Sequence, residues 1–82
     1  MPTVLRIFGL RVVIYPNDHR PAHVHVIGND NEAVFKLLCD GNNVKLKENY
    51  GFSKKELSDI KKILIEHKSA LCGEWRKIHG DD

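Results

Sequence analysis

Three of the chain's five histidines lie within seven positions, and their side chains are the ones best suited to chemistry. His19 is followed by Arg20 and Pro21, and then by His23 and His25. Residues two apart on a β-strand project from the same face, so a strand here would place the last two Cβ atoms about 6.5 to 7 Å apart. Two imidazoles at that spacing can bind one metal ion or can divide acid and base roles between them.

The first interpretation of this segment is a metal site. His23 and His25 would bind one divalent ion such as zinc, while His19 or Asp18 would supply a third ligand and leave a position open for water. Histidines that bind metal normally donate their second ring N–H to a carboxylate or a carbonyl. No carboxylate stands at an obvious position for that role, so the residue pattern by itself does not call for a metal cofactor.

The second interpretation is metal-free cleavage of a phosphodiester. Imidazole titrates near neutral pH, so one ring can accept a proton while another donates one. A guanidinium group can bind the non-bridging phosphate oxygens and stabilise the charge that develops at phosphorus. This interpretation assigns catalysis to His19, His23 and His25, and substrate binding to Arg6, Arg11, Tyr15, Arg20 and Lys36.

The third interpretation is structural, because aspartate, arginine and histidine side chains can satisfy one another's hydrogen bonds. Asp18, Arg20 and the histidines would then form a polar cluster that fixes the bend before the third strand, with Pro21 restricting the backbone. Such a cluster can also bind a partner without catalysis. The residues alone leave all three interpretations open.

Runs of β-branched and apolar residues, separated by turns rich in glycine, asparagine and aspartate, predict the sheet that positions this segment. A capped amphipathic segment then predicts one long C-terminal helix packed on one face of the sheet. The expected architecture is a single α+β domain over residues 1–82 with a four- to five-stranded, mainly antiparallel sheet. The predicted strands, within residues 3–48, are 3–8, 11–15, 23–27, 32–38 and 44–47, and the predicted helix is 53–79.

The helix has the clearest local pattern. Ser53 and Glu56 form a capping box, in which each side chain accepts a hydrogen bond from the other residue's backbone N–H. Gly73 costs about 1 kcal/mol of helix stability relative to alanine and favours a bend or an end there, and Gly80 is the expected C-terminal stop. Apolar residues at spacings of three, four and seven make one stripe: Leu57, Ile60, Ile63, Leu64, Leu71, Trp75 and Ile78.

Strand periodicity divides the side chains between the two faces of the predicted sheet. The helix-facing parity collects apolar residues from every strand: Leu5, Ile7, Val12, Ile14, Val24, Val26, Phe35, Leu37, Val44 and Leu46. The opposite parity, with Glu32 as its one carboxylate, collects mainly basic and aromatic residues together with three apolar ones: Arg6, Arg11, Tyr15, His23, His25, Lys36, Lys45 and Lys47, with Val4, Phe8 and Val13 among them. We therefore expect the imidazoles to point away from the helix into an accessible cationic surface.

The composition excludes several classes of protein. A net charge of +2 is too small to indicate a nucleic-acid-binding protein by itself. Cys39 and Cys72 form no CxxC motif, and we expect two reduced thiols, with a single disulfide between them as the alternative. We see neither a secretory leader nor an apolar run of about 20 residues, which predicts a cytoplasmic protein that does not enter a membrane. A chain this short leaves apolar area uncovered, which favours a homodimer or a covering partner.

The histidine segment is also distinctive as a motif. It reads His-Arg-Pro-x-His-Val-His-Val, and it stands between the opening Met1–Arg6 and the helix start Gly51–Leu57. Together these segments resemble a family of small bacterial and archaeal proteins, domain-of-unknown-function family 4160. The resemblance implies a two-gene arrangement similar to toxin–antitoxin pairs, in which the protein is an RNA-cleaving toxin or the partner that binds one.

The family motif falls on His19, Arg20, His23 and His25 of this chain. Two positions depart from the commoner form of the family, because Ala22 stands where a second proline is usual and Leu10 where the first turn often has proline. Neither change removes a reactive group, so they put loop rigidity in doubt more than chemistry.

The leading functional hypothesis is a toxin-like component of a two-gene module that engages RNA through the basic sheet face. As a ribonuclease it would use His23 and His25 as acid and base, without metal, and Arg20 as the phosphate clamp. One alternative is a non-catalytic module that binds a protein partner or DNA. Another is a histidine-based divalent metal site.

Overall fold

Five antiparallel strands form one sheet, and two helices follow them. The structure is a computed structural model that describes residues 3–39, 41 and 43–80. The strands lie in the sheet in chain order, so each pairs with its neighbours in sequence. The predicted α+β class and antiparallel sheet are confirmed. The elements are β1 (Thr3–Ile7), β2 (Leu10–Val13), β3 (His23–Gly28), β4 (Asn31–Leu38), β5 (Asn43–Tyr50), α1 (Lys54–Glu66) and α2 (Lys68–His79).

Two of the hairpins turn through residues with a left-handed backbone. Phe8 and Gly9, which join β1 to β2, have φ angles of 51° and 75°, and Asn29 and Asp30, which join β3 to β4, have φ angles of 53° and 65°. Positive φ at both central residues is what a two-residue type I′ turn requires, and its twist matches that of the strands. The second turn fixes the register of β3 against β4, which decides what lies beside the histidines.

The apolar core lies between one face of the sheet and the helices. The predicted helix-facing residues of the three central strands are buried in it, while Leu5 and Ile7 on the edge strand β1 pack partly against it. Leu46 is the exception, because it lies exposed on the edge strand β5. The buried cluster comprises Leu10, Val12, Ile14, Val24, Val26, Ala33, Phe35, Leu37, Val44, Phe52, Ile60, Leu64, Leu71, Cys72 and Trp75.

The prediction of one long helix is wrong, because the helical segment divides at His67 and not at Gly73. His67 has φ −104° and ψ 13°, outside the helical range, and separates α1 from α2. The residues that follow Leu64 by one turn on the apolar stripe are His67 and Lys68, both polar, so a straight helix would carry them into the core. The Lys68 ammonium instead donates to the Leu38 carbonyl oxygen at 3.1 Å. Neither helix of the described chain has the length and hydrophobicity to cross a bilayer.

The start of α1 confirms the predicted capping box. The Glu56 N–H donates to Ser53 Oγ at 3.1 Å, and the Ser53 N–H donates to Glu56 Oε1 at 2.9 Å. We expect Ser53→Ala to lower the free energy of unfolding by about 1 kcal/mol, because one of these bonds is lost. Urea denaturation followed by circular dichroism measures it, with Ser58→Ala at an exposed position inside α1 as the control. Equal losses in the two variants would contradict a capping role.

The two cysteines form a disulfide, which corrects the expectation of reduced thiols. Cys39 and Cys72 lie 33 positions apart in the sequence, but their Cα atoms are 6.1 Å apart. Cys39 directly follows β4 and Cys72 belongs to α2, so the disulfide holds the second helix against that end of the sheet. The sequence could not show this pairing, because it depends on how α2 docks after the break at His67.

Candidate metal centre

The spacing of the two strand histidines places both rings on one face of β3, as predicted. His23 and His25 alternate with Val24 and Val26, which are fully buried on the core side. His25 lies in the middle of the sheet, because its register partners are Val13 on β2 and Val34 on β4. Both valines are buried although they lie outside the helix-packed cluster.

The turn after β2 brings Asp18 against the two imidazoles. The Asp18 N–H donates to the Tyr15 carbonyl oxygen at 3.0 Å, and the Tyr15 N–H donates to Asp18 Oδ2 at 3.0 Å. This reciprocal pair fixes the carboxylate and leaves Oδ1 facing the rings. Oδ1 lies 3.3 Å from His25 Nε2 and 3.5 Å from His23 Nε2.

The second nitrogen of each ring also faces an acceptor. His23 Nδ1 lies 2.9 Å from the Pro21 carbonyl oxygen, and His25 Nδ1 lies 3.2 Å from Glu32 Oε2. Glu32 stands two positions before Val34, the direct partner of His25, and is therefore its diagonal neighbour across the strand pair. These contacts turn both Nε2 atoms toward Asp18.

The carboxylate that the sequence failed to place is thus Glu32. Its position follows from the Asn29–Asp30 turn, because a two-residue hairpin there pairs Gly28 with Asn31 and His25 with Val34. Counting back from that turn would have put Glu32 beside His25. The missing information was the register of the hairpin rather than any residue type.

A row of aromatic rings runs through the site. Successive ring centroids are 4.8 Å apart from Tyr15 to His25, 5.2 Å from His25 to His23, 5.3 Å from His23 to Trp75, and 4.0 Å from Trp75 to His79. Tyr15 therefore lies on the predicted face, whereas the involvement of Trp75 and His79 was missed.

The imidazoles do not stand on an open surface, which corrects that part of the face assignment. The side chains of His23, His25 and Asp18 are 12%, 15% and 12% exposed. Trp75 belongs to α2, and its ring lies against His23. The three side chains are therefore largely shielded from water, which strengthens the electrostatic interactions between them.

The other predicted site residues are more scattered. His19 and Arg20 are exposed in the loop before β3, and within the described residues His19 is not among the side chains whose ligand atoms converge. Arg6 is exposed, while Arg11 and Lys36 are half-buried. In register, Lys36 lies directly beside His23, and Arg11 lies beside Arg6.

The strand β5 extends three residues beyond its predicted end and adds a carboxylate to the sheet. Glu48 pairs in register with Val34 and is exposed. The Tyr50 hydroxyl donates to Glu48 Oε1 at 2.7 Å, and this hydrogen bond with the nearby negative charge raises the pKa of Tyr50 above its usual value. The sheet face is therefore less uniformly cationic than its strand pattern indicated.

The geometry of the three inner side chains suits a divalent ion. One ligand atom from each of Asp18, His23 and His25 lies within 4.8 Å of the others. In a tetrahedral zinc site with bonds of about 2.0 to 2.2 Å, neighbouring ligand atoms are about 3.3 to 3.6 Å apart. The carboxylate oxygen meets this spacing to both nitrogens, at 3.3 and 3.5 Å. Three protein ligands leave the fourth position for water or substrate.

Fold and site together define a small α+β domain that carries a cluster of two histidines and one carboxylate on its sheet. The chain belongs to the family described as domain of unknown function (DUF4160), which matches residues 9–76. This match covers every residue of the cluster and the partners that orient it. No curated protein and no solved structure matches the chain.

Proposed function

We propose that the protein is a divalent-metal-binding domain in which Asp18, His23 and His25 hold the ion. The observation that carries the proposal is the pair of separations from Asp18 Oδ1 to the two Nε2 atoms, 3.3 and 3.5 Å. The contacts of both Nδ1 atoms with oxygen acceptors support it further, because they orient the rings as metal-bound histidines are oriented. A set of two imidazoles and one carboxylate suits zinc and other first-row divalent ions, and zinc is the ion used in the test below.

Charge is a second reason to prefer a metal over metal-free acid–base chemistry. Asp18 and Glu32 both contact His25, so both ring nitrogens face a carboxylate oxygen. A neutral imidazole has one N–H and can donate to only one of the two carboxylates. Both contacts are hydrogen bonds only when both ring nitrogens carry a proton. Two carboxylates beside the rings also repel a phosphate, whereas a bound cation reverses the local charge. The metal-free roles of His23 and His25 stay a prediction that the test below separates.

Zinc titration of the metal-free protein tests the site. We expect Asp18→Asn to weaken zinc binding at least about 100-fold, and Glu32→Gln to weaken it about 10-fold because it only orients His25. Calorimetry gives both affinities, and zinc should raise the melting temperature of the wild type by mass action. Asp30→Asn, at an exposed turn, is the matched control.

A purely structural cluster gives a different result. Asp18→Asn would then lower the melting temperature, but zinc would leave the melting temperature of the wild type unchanged. Equal zinc affinities in the wild type and Asp18→Asn would also remove the proposal. Binding should weaken as the pH falls, because protons compete for the imidazole nitrogens.

The second candidate function is RNA engagement by a toxin-like component of a two-gene module. The specific observation that favours it is the line of basic residues beside the cluster: His23, Lys36 and Lys45 lie side by side in register, and Lys45 and Lys47 are exposed. Phosphate binding at such a surface should fall steeply with salt. A small cognate partner, a homodimer and a cytoplasmic location belong to the same proposal.

RNA binding is tested with two double variants, each of which removes two positive charges: one pair on β5 and one pair on α1. Lys45→Gln with Lys47→Gln should weaken RNA binding and flatten its salt dependence, whereas Lys54→Gln with Lys55→Gln on α1 should not.

Cleavage that stops in a chelator and returns with zinc supports the metal, and cleavage that persists supports His23 and His25 as acid and base. Binding of DNA or a protein partner without cleavage supports the non-catalytic alternative. Absence of RNA binding, with normal growth on overexpression, would remove the RNA proposal.

A further inference from the structure

Helix α2 is attached to the sheet along one of its faces. Lys68, Cys72 and Trp75 follow one another at spacings of four and three, which places them on one side of the helix. The Lys68 ammonium donates to the carbonyl oxygen of the last residue of β4. Cys72 is bonded to Cys39, and the Trp75 ring lies 5.3 Å from the His23 ring. The disulfide is thus the middle one of three attachments, and the third covers a proposed metal ligand.

Both ends of the disulfide lie near His23. Trp75 follows Cys72 by three positions, which is about 4.5 Å along a helix. Cys39 follows Lys36 by three positions, and Lys36 is the register partner of His23 on β4. The covalent bond therefore joins the strand that lies beside His23 to the helix whose tryptophan lies against it.

Helix α2 has little stability of its own. It begins at the break at His67, where the described chain shows no side-chain cap. Gly73 stands next to Cys72 and lowers the stability of the helix, although a Cβ built there would meet no described atom within 4 Å. With the disulfide closed, Cys72 cannot leave Cys39. With the disulfide open, the helix can separate from the sheet and unfold as one unit.

We propose that the disulfide of Cys39 and Cys72 is a redox switch that controls how Trp75 covers His23 and, through His23, the affinity of the metal site. Its effect on the metal rests on the proposed function, whereas its effect on His23 does not. A dithiol reductant opens the switch by breaking the S–S bond. Two electrons and two protons pass to the cysteines, which become thiols, while the reductant becomes a disulfide. Cys39 is half-buried and Cys72 is buried, so the reductant reaches the bond at Cys39.

Opening the disulfide weakens the metal site because it exposes one of its ligands to water. Trp75 shields the His23 ring, and the apolar groups around a metal site control the access of solvent to it. We expect zinc to bind about tenfold more weakly when the disulfide is open, as for the loss of other groups that support metal ligands. His25 is covered by Tyr15 and Asp18 from the turn after β2, so its environment should not change.

Modification of the histidines by diethyl pyrocarbonate, followed by mass spectrometry of the metal-free full chain, tests the switch without any metal. His23 should react at least about tenfold faster after reduction, because α2 then opens locally. The exposed His19 should react at the same rate in both forms, and His25 should stay protected as the report that the domain is folded. Gly73→Ala strengthens α2 and should slow the reaction of His23 in the reduced protein several-fold.

Zinc calorimetry then measures the effect on the metal site. Cys39→Ser with Cys72→Ser has no thiol that could bind zinc, and it should bind zinc about tenfold more weakly than the oxidised wild type. Ile60→Ala is the matched control, because it removes a buried side chain of α1 and destabilises the domain to a similar extent with the disulfide closed. It should keep His23 protected and should bind zinc as the wild type does.

The switch and the metal site fail separately. If the oxidised protein binds no zinc but His23 becomes reactive on reduction, the proposed function is wrong and the control of His23 by the disulfide stands. The switch is overturned if His23 reacts at one rate in the oxidised and reduced protein, or if the serine variant binds zinc as tightly as the wild type. It is overturned as well if His23 and His25 become reactive together, because the disulfide would then hold the whole domain rather than α2.

Discussion

Replacement of Trp75 by alanine should lower the free energy of unfolding by about 3 to 5 kcal/mol. Trp75 is 4% exposed, it belongs to the core cluster, and its ring contacts both His23 and His79. Its loss would leave a cavity at the point where α2 meets the sheet, and small domains are stable by only about 5 to 15 kcal/mol. Urea denaturation followed by circular dichroism measures the change.

Two comparisons make the Trp75 result specific. Trp75→Phe retains an aromatic ring and should lose less stability than Trp75→Ala. Tyr50→Ala removes an aromatic ring that is 61% exposed and should change the stability by less than about 0.5 kcal/mol. A loss below about 1 kcal/mol for Trp75→Ala would mean that α2 does not pack against the sheet as described.

Opening the disulfide should have the second large effect. Replacing Cys39 and Cys72 together with serine frees a loop of 33 positions. The loop-closure entropy of that length predicts a loss of about 3 to 4 kcal/mol in the free energy of unfolding. The loss should be measurable by denaturant titration of the double variant beside the oxidised wild type.

Reduction of the wild type is the natural control for the serine variant. The reduced protein and the double variant should have similar stabilities, since both lack the covalent link. A cytosol that keeps thiols reduced would hold the protein in the less stable form. Mass spectrometry after rapid alkylation of cell extract shows which form is present in the cell. If the reduced protein, with both cysteines alkylated, were as stable as the oxidised protein, the prediction would be contradicted.

The sequence predicted the parts of the fold that depend on local chemistry. The capping box of Ser53 and Glu56 depends only on residues three positions apart, so the sequence pattern located the start of α1. Alternation along β3 placed Val24 and Val26 in the core and the two histidines opposite. The break at His67 was not predicted, because the apolar stripe resumes with Leu71, seven positions after Leu64.

The spacing of residues along the sequence predicted only part of the site. His23 and His25 come together because they share a strand, and Asp18 is one of the two residues that the sequence offers as a third ligand. The role of Glu32 depends on strand register, and the contacts of Trp75 and Cys72 depend on the docking of α2. Such contacts between elements distant in sequence have no local pattern.

The row of rings also supplies an optical reporter. Trp75 is the chain's one tryptophan, and it lies 5.3 Å from the His23 ring and belongs to the helix that the disulfide anchors. Its fluorescence therefore comes from one known place, beside the proposed ion. Zinc uptake and opening of the disulfide should each change its intensity in unlabelled protein.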